Sequence, residues 1–109
     1  NGSVDASFGG GDGIVTVGVG SANDVGNDVA IDSLGRIVVA GTTSTSPTAG
    51  SAVVVRLASD GSLDTTFSGD GVQTIAMGSA NGTGESVGID GSNRILVAGS
   101  DKNGNDGVV

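Results

Sequence analysis

Arg36-Ile37-Val38-Val39-Ala40-Gly41 returns 58 residues later as Arg94-Ile95-Leu96-Val97-Ala98-Gly99, an apolar run that constrains what lies on either side of it. A strand with one face in water places a polar residue at every second position, and here the apolar run is unbroken. Val and Ile bounded by Gly favour an extended strand over a helix. Such a strand needs cover on both sides. Small sheets stacked face to face provide it, as in propeller blades or a sheet-stacking solenoid. A two-sheet β-sandwich is the rival arrangement.

Working outward, the whole chain proves to be periodic. Gly2-Ser3-Val4-Asp5-Ala6-Ser7-Phe8 matches Gly61-Ser62-Leu63-Asp64-Thr65-Thr66-Phe67, and Val29-Ala30-Ile31-Asp32 matches Val87-Gly88-Ile89-Asp90. The offset is 59 residues before Gly11 and 58 after it, so one residue was gained or lost there. Each period reads as four short antiparallel strands: 14–19 (72–77), 28–32 (86–90), 36–41 (94–99) and 52–57, the last begun in the second period by Val108-Val109. Gly, Asn and Asp clusters separate them, and Asp32-Ser33-Leu34-Gly35 and Asp90-Gly91-Ser92-Asn93 read as hairpin turns. The expected architecture is all-β, with two tandem four-stranded blade-like repeats at 1–59 and 60–109, the second with a truncated last strand. A small residue at Ala30 and Gly88 would let a neighbouring sheet approach closely.

Composition narrows the function. The 109 residues include 22 Gly and two aromatics, Phe8 and Phe67, with no Cys, His, Trp or Tyr. The interior must therefore be built from Val, Ile, Leu and Ala, which pack well in strands but bury little area each. A net charge of −8 repels nucleic-acid backbones and anionic membranes alike, and no apolar run is long enough for a spanning helix. An acidic, cysteine-free chain rich in Gly, Ser, Thr, Asn and Asp fits a microbial exterior. It begins with Asn1, so processing or excision from something longer is expected.

Asp60-Gly61-Ser62-Leu63-Asp64-Thr65-Thr66-Phe67, followed in period order by Gly35-Arg36-Ile37-Val38-Val39-Ala40-Gly41 and Val53-Val54-Val55-Arg56-Leu57, resembles the delta-60 repeat family. Arg36 and Arg94 stand where that family usually has Lys, and the aromatics usual in its last strand are absent. The resemblance covers nearly the whole chain, twice. It implies propeller-like units of bacterial surface or secreted proteins, with no established catalytic residues.

Among candidate sites, Asp101, Asn103 and Asn105 alternate as in a calcium loop and Asp106-Gly107 follows directly, offering hard oxygen ligands around a glycine turn. A Gly stands at the fourth position, the bidentate Glu is missing, and the first period has no counterpart, so a plain turn outweighs a Ca²⁺ site. Asp5 and Asp12, recurring as Asp64 and Asp70, can act as an acid–base or cation pair, or as caps of their own turns. Recurrence favours caps. Thr42, Thr43, Ser44, Thr45, Ser46 and Thr48 form a hydroxyl-rich tract with the character of an exposed, O-glycosylated or simply flexible loop. Asn81 opens an N-glycan sequon, as does Asn1. Arg36, Arg56 and Arg94 are expected to pair with nearby Asp.

No general-base His, Cys nucleophile, G-x-S-x-G elbow or Walker loop occurs. The Gly-x-Gly runs do not open helices, so they make no phosphate cradle. The expectation is a non-enzymatic extracellular or cell-surface module without a cofactor, acting by self-assembly or adhesion. Its expected partners are further copies or neighbouring repeats, in a ring, a filament or a larger propeller. A calcium- or glycan-binding module is the alternative.

Overall fold

The computed structural model describes residues 1–20, 23–46, 49–76, 81–101 and 105–108, with positions 45 and 105–108 described in backbone only. Seven strands and no helix occur among them: β1 (Asn23–Ile31), β2 (Ile37–Ser46), β3 (Ala49–Leu57), β4 (Val72–Ile75), β5 (Gly82–Ile89), β6 (Ile95–Asp101) and β7 (Asn105–Val108). They form a four-stranded antiparallel sheet, β1-β2-β3-β4, and a three-stranded one, β5-β6-β7.

One strand assignment is corrected. Residues 72–75 do not open the second sheet. They pair with β3, Val55 opposite Val72 and Ala52 opposite Ile75, and close the first sheet as its fourth strand. The first sheet thus draws on both sides of residue 59. The equivalent stretch 14–19 belongs to neither sheet. The connection between β3 and β4 makes this possible by folding back on β3: Arg56 N–H donates to the Gly71 carbonyl at 2.8 Å, and Asp64 N–H donates to the Arg56 carbonyl at 2.9 Å. The Arg56 side chain ties the knot, reaching Asp64 at 2.8 Å and stacking 4.8 Å from the Phe67 ring centre.

The two expected hairpin turns are present and built alike. Asp32 N–H donates to the Arg36 carbonyl and Gly35 N–H to the Asp32 carbonyl, both at 3.0 Å, and Asp90, Arg94 and Asn93 repeat the pattern. Each turn ends on a left-handed residue, Gly35 at φ 75° and Asn93 at φ 59°. Gly and Asn are the residues that tolerate this conformation after a type I turn.

The sheets stack. Val38, Ala40 and Val54 of the first sheet meet Val97 of the second, with Val87, Ile89, Ile95, Phe67 and Ile75 packed around them. On its other face, Val53, Val55 and Leu57 are covered by Val15, Val17 and Val19 of the amino-terminal stretch, alongside Ile37, Val39 and Val72. A two-sheet sandwich would leave that outer face to water. Both faces of the apolar strand, here β2, are therefore covered in the first period. The sheets do not approach at Gly88, where an added Cβ would meet open space. They approach at Gly84, where a Cβ would lie 2.5 Å from the Gly41 carbonyl oxygen.

Candidate functional site

Among the described residues two sheet faces remain open, at opposite ends of the stack. On the first sheet, Val29 and Ile31 of β1 are 60% and 69% exposed, next to the exposed Val25. Their equivalents in the second period, Val87 and Ile89, pack into the inter-sheet core. On the second sheet, Leu96 is 49% exposed and Ala98 and Gly88 lie beside it in the open. Their equivalents, Val38, Ala40 and Ala30, are buried or half-buried against the second sheet. Each open face is thus the repeat image of a face already buried inside the molecule. A cavity of about 240 Å³ under the amino-terminal stretch, lined by Val17, Val39, Val53 and Val55, continues the first of these faces.

Side chains clip the internal joint between the sheets. Asp28 accepts from the Val87 N–H at 2.9 Å, and Asn27 Nδ2 donates to the Gly84 carbonyl at 2.6 Å. Asn93 Oδ1 accepts from both the N–H and the hydroxyl of Ser33, at 3.1 and 2.9 Å. These residues were not singled out from the sequence. The available signal was divergence: Asn27, Asp28 and Asn93 stand where the other period has Glu85, Ser86 and Gly35.

The aspartates lie at turns. Asp5 accepts from the hydroxyl and the N–H of Ser7, at 2.6 and 2.9 Å, and Asp64 holds Thr66 in the same way, at 2.6 and 3.0 Å. Asp12 and Asp70 accept from Ile14 and Val72 N–H. The Ser7 hydroxyl, then its N–H, holds the Asp5 carboxyl below the usual carboxylate range. For Asp64 the Thr66 hydroxyl does most, and Arg56 adds to it against the opposing effect of burial. Burial works hardest against ionisation at Asp32, yet the Arg36 guanidinium at 2.5 Å and the Arg36 and Leu34 N–H groups keep its carboxyl low. At Asp90 the Arg94 N–H leads, followed by its guanidinium. Carboxylates held ionised by their own turns serve as caps.

From Thr42 to Ser46 the hydroxyl tract is strand, not loop. Thr42, Thr43, Ser44 and Ser46 belong to β2, paired with β3, and Thr43 is buried. Thr45 shares that backbone, and Thr48 lies outside the described residues. β-branched threonines suit a pleated, half-buried surface, which is why the tract extends β2. Asn81 is half-buried, and its Oδ1 accepts from the Gly50 N–H at 3.2 Å. Asp101 is buried at the end of β6, where it pairs with Asn105, while Ser100 pairs with Asp106. Asn103 lies outside the described residues. No group of three acidic, His or Cys side chains able to hold a metal occurs among the described residues.

Stacked antiparallel sheets with self-similar open faces define an all-β chain whose architecture is consistent with propeller blades. Comparison with known families agrees over part of the chain. A family described as a domain of unknown function (DUF5122), beta-propeller, which is related to delta-60 repeats, matches residues 35–67. No curated protein and no solved structure matches the chain.

Proposed function

We propose that this chain is a non-enzymatic structural module of the extracellular or cell-surface kind, made of tandem blade-like repeats. It works by stacking its sheets against neighbouring repeats or further copies, in assembly or adhesion. One observation carries this reading. The same apolar strand is covered on both faces in the first period, as β2, and on one face in the second, as β6. Exposed Leu96, Val29 and Ile31 leave apolar area in water that a neighbour would remove, at about 25 cal/mol per Å² buried. The acidic, cysteine-free composition and the delta-60 resemblance support an exterior setting. Sedimentation velocity over a wide concentration range, with negative-stain images, tests it. Concentration-dependent rings or filaments are expected, and a folded monomer at every concentration would reject assembly between copies.

A further inference from the structure

We propose that two copies of this chain join head to tail, so that residues 14–17 of one copy add to the free edge of β7 in another. The incoming second sheet then seats its Leu96–Ala98 face on Val29 and Ile31. This deepens the assembly reading and rests on it.

Three observations converge. First, residues 14–17 are the repeat equivalent of β4, yet they pair in no sheet. Val15 and Val17, the equivalents of Gln73 and Ile75, lie against the first sheet as the fourth strand of a preceding blade would. Secondly, β7 has β6 on one side and no other strand beside it among the described residues. An uncovered strand edge is a template for a further strand. Ala98 pairs with Val108 as Ala40 pairs with Val54, so β7 is the counterpart of β3. Carrying over the β3–β4 register puts Val15 opposite Val108 and Thr16 opposite Gly107. Thirdly, the surfaces that would meet are images of the internal joint: Leu96 and Ala98 stand for Val38 and Ala40, Val29 and Ile31 for Val87 and Ile89. The new joint continues an interface the molecule already contains.

It is also weaker than its template. Ser86 replaces Asp28, Glu85 replaces Asn27, and Gly91 would face Gly35 where Ser33 faces Asn93. Chains of net charge −8 also repel one another until salt screens them. Association is therefore reversible and strengthens with salt. Because the joint is heterologous, it generates a ring where the rotation closes and a filament where it does not.

Complementation tests the joint. Ile31→Asp spoils one face and Leu96→Asp the other, both at exposed positions, so each variant keeps its fold and one sound face. In ~0.3 M salt, each alone should associate at least ~10-fold more weakly than the parent. Their equimolar mixture should form a one-to-one dimer and nothing larger. In a parent otherwise free of cysteine, Thr16→Cys with Gly107→Cys should oxidise to a ladder of covalent multimers. A parent that stays monomeric overturns both the joint and the assembly reading. A parent that assembles while the mixture gives no dimer, or the cysteine pair no ladder, overturns the joint and leaves the assembly reading standing.

Discussion

The β1–β2 hairpin and the β5–β6 hairpin are copies of one repeat with opposite exposures. Val38 is buried where Leu96 is open, and Ile31 is open where Ile89 is packed. Even the matched ion pairs diverge: the Arg36 side chain is 24% exposed and that of Arg94 is 80%. The local chemistry of the two hairpins is alike, so the difference comes from position in the stack. Burial in this molecule belongs to the neighbour a strand is given, more than to the strand.

The largest expected effect is one the two copies share. A side chain at Gly41 would collide with the Val25 carbonyl, and one at Gly99 with the Thr83 carbonyl. Gly41→Val and Gly99→Val should each cost about 3 kcal/mol in urea denaturation. A large inequality between them would show that the hairpins differ locally after all. Next, Val38→Ala should cost about 2–3 kcal/mol. Leu96→Ala, measured on dilute monomer, should cost about 0.5 kcal/mol. Equal costs would break the comparison.

The turns sharpen it further. Asn93→Gly removes the acceptor for Ser33 and should cost about 1 kcal/mol, while Gly35→Asn should stay within about 0.5 kcal/mol because Asn tolerates the left-handed turn. Both are read by thermal melting. Acid comes next. Asp32, Asp64 and Asp90 have folded values lowered below that of the unfolded chain, near 3.9. Their contribution is fully present above that value and is lost as pH falls through the lowered ones. Melting temperature should therefore drop below about pH 4, and Asp32→Asn should weaken that drop more than Asp90→Asn. The smallest effect concerns Ca²⁺, which should leave melting unchanged. A rise reversed by chelator would make the stretch from Asp101 to Asp106 a metal site and set the two periods apart chemically.

Much of this was legible. The unbroken apolar run announced the cover found on both faces of β2, but its copy β6 is covered on one face and leaves Leu96 open; Asp-x-x-Gly and Asp-x-x-Asn announced the hairpins. What a periodic sequence cannot show is where the period of the sheet begins. Residues 72–77 read equally well as the first strand of one unit or the fourth of the previous one. Long-range hydrogen bonds of Arg56 to Gly71 and Asp64 decide between them. The hydroxyl tract misled because Ser, Thr and Pro together suggest a loop, while alternating burial along β2 turns the same threonines into strand residues. The inter-sheet clips at Asn27, Asp28 and Asn93 were hidden because repetition draws the eye to what matches, and they sit where the periods differ.

The placement of β4 bears on how such a protein changes length over generations. Since the strand that finishes a sheet is encoded past residue 59, recombination that drops or adds a whole unit of 58 residues rejoins a β3-like strand to an equivalent finishing strand. Copy number can drift while each internal β3-like strand keeps a finishing strand.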